Sequence, residues 1–483
     1  MEQKKEIVHQ LSLFDINGEA AISPFPSRNG VSEARGRRDL QVVPAGEQRR
    51  ALVCNLMELV CSPNNLRTAY RQVKQNRGCG GIDGMQVSEF DAWFKVNGSA
   101  LVESLRTGKY HPQAVRLVEI PKPNGGKRKL GIPTVIDRVI QQAISQVLTP
   151  IYEAEFSDNS YGFRPVRNAH QALQKASRHV SAGRTIVIDI DLKNFFDVVN
   201  HDRLMHRLSL RIEDKVLLGL IRKYLRSGIM TDGVVSQRTE GTPQGSPLSP
   251  LLSNIVLDEL DRELERRGHC FVRYADDCNI FVRSLKAGER VMRSLSSFIE
   301  SKLKLKINVE KSKVCEVKES KFLGYTILNN GILVISQQSI MRIKQKIREI
   351  TRRNRGVKFE QLIAELNLKL RGWLNYFRWA KCYKLVQQLD AWIRRKLRCY
   401  RIKQCKRVHT LQKFLHQHGV EKWQSWILAL SGKGLWRKSG CPQANQAMGK
   451  AWFNQLKLYN LTANYETFNN LQKPPCTKVR TVV

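Results

Sequence analysis

The sequence has no CxxC pair among its 11 cysteines and no histidine beyond His418. A zinc ribbon, or a zinc-stabilised nuclease module near the carboxyl end, is therefore not expected. Scattered single cysteines are those of reduced thiols in an intracellular protein. No run of about 18 apolar residues occurs, which argues against a membrane span. The stretch MEQKKEIVHQ carries charge where a secretory signal would need an apolar core. Acidic residues are also scarce: 43 Asp and Glu stand against 81 Lys and Arg over 483 residues, a formal charge of +38. Such a chain repels itself unless a polyanion is near, so nucleic acid is the partner the charge points to.

The length suits two or three domains. Residues 1–49 mix Ser, Pro, Gly and charge without period and read as a mobile extension. Helical texture begins near Arg50. In 115–133 two alternating apolar runs flank Pro-Asn-Gly-Gly, a hairpin signal. Ile136, Val139, Ile140, Ala143, Ile144, Val147 and Leu148 recur at helical spacing. TIVIDIDL (185–192) alternates as a strand, and Phe271–Tyr274 and Cys278–Val282 flank a tight Ala275-Asp276-Asp277 turn. KFLGYTIL (321–328) reads as a further strand closing this part. Beyond Gly331 the texture turns to basic helices: 341–410 holds 21 Lys and Arg against 4 acids, a local charge of +17. Trp373, Tyr376, Phe377, Trp379, Trp392 and Tyr400 interleave with that charge, the pattern of a nucleic-acid surface.

Two acidic segments, 85 positions apart (191 to 276), carry the candidate chemistry: DIDLKNFFD (189–197) at a strand end and YADD (274–277) at a turn. Clustered carboxylates are costly without counter-ions, so cations are their natural partners. If the segments are neighbours in one sheet, three carboxylates suit two Mg²⁺ ions about 4 Å apart, the arrangement for in-line phosphoryl transfer. Oxygen ligands suit Mn²⁺ as well. Strand alternation places Asp189 and Asp191 on the same face and does not choose between them.

The ordered motifs AYRQVKQNRGCGGIDG (69–84), IPKPNGGKRKLGIPTVIDRVIQQAI (120–144), SYGFRP (160–165), DIDLKNFFD, GTPQGSPLSP (241–250), FVRYADD (271–277), NVEKSK (308–313) and FLGY (322–325) resemble those of group II intron reverse transcriptase/maturases. LRGWLNYF (370–377) and WIRRKLRCY (392–400) resemble their thumb, or maturase, region. The resemblance spans about 55–465 and is to the branch lacking a carboxyl-terminal endonuclease. It implies an α+β right-hand polymerase: fingers and palm with antiparallel sheet over 50–330, a helical thumb/maturase domain over 331–434, and a small DNA-binding module over 435–483.

By the same resemblance Asp191, Asp276 and Asp277 are the catalytic metal ligands. The family's aromatic five residues past the catalytic aspartate falls on Phe196 for Asp191, where it would exclude a ribose 2′-hydroxyl and favour dNTPs. Lys122 and Arg128 are expected on the triphosphate, although Lys129 replaces the family's usual proline there. Gln244 and Lys311 are expected at the nucleotide, Lys311 as proton donor to the leaving pyrophosphate. Arg164, Pro243, Gly245, Phe322, Gly324, Trp373, Arg394 and Arg395 are expected along template and primer. The implied partners are a parent intron RNA, an RNA template, a DNA primer or target and dNTPs, in a bacterial cytoplasm and without a membrane. A free-standing cellular or defence reverse transcriptase and a polymerase-inactive splicing factor stay open as alternatives. The sequence sets no oligomeric state.

Overall fold

The hairpin signal at 115–133 forms as expected in the computed structural model, which describes residues 54–121, 127–193, 195–231, 234–236, 240–242 and 245–472. β1 (Val115–Pro121) pairs antiparallel with β2 (Lys127–Ile132), from Arg116 opposite Ile132 to Pro121 opposite Lys127. β3 is Ile186–Ile190, β4 is Ile229–Thr231 and β5 is Val234–Ser236. β4 joins β1 in parallel and β5 closes a four-stranded sheet of order β2-β1-β4-β5. The second sheet, of order β6-β7-β3-β8, is wholly antiparallel, with β6 Cys270–Tyr274, β7 Asp277–Val282 and β8 Lys313–Glu316.

The helices beside these sheets follow from local signals. Val135–Glu153 starts where the Thr134 side chain accepts the Asp137 N–H, and buries Val135, Val139, Ile140, Ala143, Ile144 and Leu148. Ile136 and Val147, expected on that face, are only half-buried. Ala169–Ser181 opens on a capping box between Asn168 and Gln171. One apolar core joins the helix Val135–Glu153 to Ser249–Arg266 and to Ile188, Ile190, Phe271, Cys278 and Ile280 of the second sheet. Among the described residues no helix is long and apolar enough to cross a membrane.

The chain divides into two compact units at Glu316/Val317, earlier than residue 330. KFLGYTIL therefore belongs to the second unit and not to the palm sheet, whose fourth strand is β8. Only Tyr325–Ile327 of it is strand (β9), pairing with β10 (Leu333–Ile335). Tyr325 fixes this placement: its ring packs on Phe377 at 5.0 Å and its hydroxyl donates to the Tyr376 carbonyl.

The second unit is otherwise helical: Gln337–Ile350, Phe359–Phe377, Tyr383–Gln404, Val408–Gln417, Lys422–Leu430 and four shorter or terminal helices ending in Leu461–Gln472. Residues 435–472 pack within this unit. Asp390 caps the last helix, accepting from the N–H groups of Leu461 and Thr462 at 3.1 and 2.9 Å. Half of the six aromatics that looked like a nucleic-acid surface are core: Phe377, Tyr400 and Trp373 are buried, while Tyr376, Trp379 and Trp392 are half-buried. Their spacing on Phe359–Phe377 and Tyr383–Gln404 serves helix packing, while the charge stays outside.

Candidate active site

β3 and β7 are neighbours in register, with Ile190 opposite Cys278, so Asp191 leaves β3 beside the turn that carries Asp276 and Asp277. Neighbouring strands lie about 4.8 Å apart, and the two acidic segments are thereby brought together. Asp189 stands inside β3, opposite Asn279 and Lys313, and not at the strand end. Asp191 is half-buried and held from the NVEKSK segment: Asn308 Nδ2 donates to its Oδ2 at 2.9 Å, and Lys311 Nζ lies 3.3 Å from the same oxygen. Its backbone N–H donates to Ser312 Oγ at 3.0 Å. Lys311, 66% exposed, is thus an ion-pair partner of Asp191.

Phe196 sits on the short helix Phe195–Val198 directly after, half-buried, its ring edge-on to Phe195 at 5.3 Å. The GTPQG segment meets this turn through Gly241, where φ is +85° and an added Cβ would stand 2.8 Å from the Phe196 and Asp197 carbonyl oxygens. Gly245 approaches β2, its Cβ position 3.1 Å from the Gly131 oxygen. Lys122, Pro243 and Gln244 lie outside the described residues. Arg128 pairs through its backbone with Ile120, and nothing is described of its side chain.

The aspartate turn rests on residues that sequence reasoning did not single out. Tyr274 opposes Asp277 across it, and Ala275 takes φ +58°. Arg273, fully buried, donates to Asp261 at 2.7 and 2.6 Å, to Asn254 Oδ1 at 3.0 Å and to the Ala275 carbonyl at 2.8 Å. Burial works against its charge, but the Asp261 carboxylate outweighs burial and holds its pKa above the ordinary arginine value. Burial likewise pushes the Cys278 thiol far up, which makes it a packing residue and no nucleophile.

Arg164, expected at the template, is turned inward. Its side chain is 2% exposed, and it binds Glu153 at 2.8 Å and the carbonyls of Ser157 and Ser160. No donor is left facing a nucleic acid, so it acts as a clamp for its loop. Trp373, also assigned to template or primer, packs on Phe377 at 5.3 Å inside the helical unit. Arg395 stacks on Trp436 at 4.2 Å, and Arg394 is half-exposed beside it. Phe322 is buried and pairs with Tyr325, and Gly324 accepts from Ser339 Oγ at 2.9 Å.

The three aspartates offer hard oxygen donors, partly exposed, of the kind Mg²⁺ and Mn²⁺ take. They fit a divalent ion by donor type. Among the described residues no three His, Cys, Asp or Glu side chains already close into a metal cage. The ion pair to Lys311 is the arrangement Asp191 adopts here.

Residues 120–327 match the family described as reverse transcriptase (RNA-dependent DNA polymerase), and residues 340–419 match the group II intron, maturase-specific domain. Protein YkfC of Escherichia coli (strain K12) is 31% identical over 354 residues, which is 65% of this chain and 92% of that protein. Group II intron-encoded protein LtrA of Lactococcus lactis subsp. cremoris is 31% identical over 338 residues, 56% of this chain and 56% of that protein. The chain thus spans nearly all of the first relative and about half the length of the second. A chain of a partial Cas6-RT-Cas1–Cas2 complex is 28% identical, with 51% of this chain and 42% of that chain covered and a TM-score of 0.34.

Proposed function

The chain belongs to the group II intron-type reverse transcriptase/maturase family, the RNA-directed DNA polymerases, and on that premise we propose that it binds a parent group II intron RNA, assists its splicing and copies it into DNA at a target site. The observation that carries this reading is the register of β3 and β7, which sets Asp191 beside Asp276 and Asp277. LtrA, a group II intron-encoded protein by name, supports the intron as partner.

Divalent ions held by Asp191, Asp276 and Asp277 would neutralise triphosphate charge and favour attack by the primer 3′-hydroxyl. The chain's own groups do the rest. Asn308 orients the Asp191 carboxylate through its 2.9 Å bond. Lys311, already at that carboxylate, is the group to protonate the departing pyrophosphate oxygen. Phe196 floors the sugar site and rejects a 2′-hydroxyl by contact. Lys122, Arg128 and Gln244 are assigned to the nucleotide, and Pro243 and Gly245 to the template base. The basic exterior of the helical unit suits RNA, with salt-dependent affinity and specificity drawn from RNA shape. Primer extension on an RNA template with dNTPs and Mg²⁺, wild type beside Asp191→Ala, tests the reading. Extension by wild type and silence from the variant are expected. Silence from both, with RNA binding intact, would refute polymerisation in favour of a splicing factor.

A further inference from the structure

We infer that Asp261, Arg273, Asn254 and Gly162 form a positioning network that sets the angle at which the Asp276-Asp277 turn presents its carboxylates. The inference rests on the polymerase reading above. Asp261, Arg273 and Asn254 are all buried, and they come from two elements: helix Ser249–Arg266 and strand β6. A third element enters through Gly162. Asn254 Nδ2 donates to the Gly162 carbonyl at 2.9 Å, while its Oδ1 accepts from Arg273 at 3.0 Å. The loop carrying Gly162 is stitched to β6 by its backbone as well: Arg273 N–H donates to Asn159 O at 2.8 Å, and Tyr161 N–H to Arg273 O at 2.9 Å.

All of these bonds converge beneath Ala275. That residue holds a left-handed backbone, unfavourable for a side-chain-bearing residue, with φ +58°. Two contacts keep it there. Arg273 donates to its carbonyl at 2.8 Å, and Gly162 lies so close below its amide that a Cβ would stand 2.2 Å from Ala275 N. Asp276 follows directly, so a rotation at Ala275 swings both carboxylates. The guanidinium bonds of Arg273 go to Asp261, Asn254 and the Ala275 carbonyl. It and Asn254 are positioning residues, acting through the turn. The Asp261–Arg273 pair is bidentate and keeps the guanidinium plane fixed, which a lysine would not do.

The test compares the full chain as wild type, Asn254→Ala, Ala275→Gly and Leu257→Ala. Leu257 is fully buried on the same helix but outside the network, so its truncation supplies a matched loss of stability. Melting temperature, primer-extension kcat and KM for dNTP, and Mn²⁺ affinity by electron paramagnetic resonance are read for each. Asn254→Ala is expected to lower kcat and Mn²⁺ affinity about tenfold, with KM for dNTP nearly unchanged. Ala275→Gly, which needs no refolding of the core, is expected to weaken both in the same direction while melting as wild type does. Leu257→Ala is expected to melt lower yet keep both. If Asn254→Ala and Ala275→Gly retain wild-type kcat and Mn²⁺ affinity, or Leu257→Ala loses as much as Asn254→Ala, the network is merely structural. A wild type that binds Mn²⁺ but extends no primer would sink the polymerase reading, and the Mn²⁺ affinities alone would then decide the network.

Discussion

Gly162→Ala is the smallest change that should reach the proposed metal-binding turn from behind. The new methyl would stand 2.2 Å from Ala275 N, 2.9 Å from the Tyr274 carbonyl carbon and 3.0 Å from the Ala275 Cα. Ordinary contact begins at 3.4 Å, so the nearest of these falls 1.2 Å short. Every offending atom is backbone, and no side chain can swing aside. The SYGFRP loop is fastened by the Arg164–Glu153 pair and by two backbone bonds to Arg273, so the aspartate turn has to move. Overpacking of this kind costs about 1–3 kcal/mol in stability. A displacement of about 1 Å at reacting groups costs about 10²-fold in rate. Single-turnover primer extension, with a melting curve on the same preparation, reads both. The expected result is a melting point lowered by a few degrees, a rate down about a hundredfold and a dNTP affinity little changed. A variant that is folded and extends primers at the wild-type rate would refute the close packing of Gly162 under the turn.

Arg164→Ala should act on stability and not on template binding. It strands the Glu153 carboxylate and three carbonyls, a loss of about 3 kcal/mol for a buried pair broken on one side. Denaturant melts and RNA affinity at a temperature where the variant is folded check this, and weaker RNA binding at unchanged stability would contradict it. His179 stacks on Phe281 at 5.7 Å, and burial pulls its pKa from 6.5 to about 4. The unfolded chain therefore takes up the proton first: the contribution is full above pH 6.5 and is lost as pH falls toward 4, at no more than about 1.4 kcal/mol per pH unit. Melting points at pH 7 and pH 5 should accordingly fall less for His179→Gln than for wild type, and equal falls would show that this histidine does not titrate as described.

Much of the candidate site was legible because each of its two acidic segments is a local pattern. TIVIDIDL announces a strand by period, and YADD sits between two apolar runs too short for anything but a hairpin. What the sequence could not show is where buried polar groups find partners. Arg273 and Asp261 lie 12 positions apart on a strand and a helix, and nothing in their spacing marks them as a pair. Arg164 carries the same signature whether it binds phosphate or Glu153. Asn308 lies in NVEKSK, yet only the fold brings its amide to Asp191. β8 is four residues, KVCE, too short and too polar to declare a strand. The aromatics of Phe359–Phe377 misled because helical spacing suits a core as well as a stacking surface.

Asp191, Asp276 and Asp277 are proposed to form one polymerising centre, with RNA binding proposed for the basic exterior of the helical unit. Asp276→Asn tests it most directly, with primer extension and intron-RNA affinity measured on the same protein. Extension abolished and RNA affinity within about twofold of wild type is the expected result. A variant that still extends primers, or one that stays folded but loses RNA binding along with extension, would contradict it.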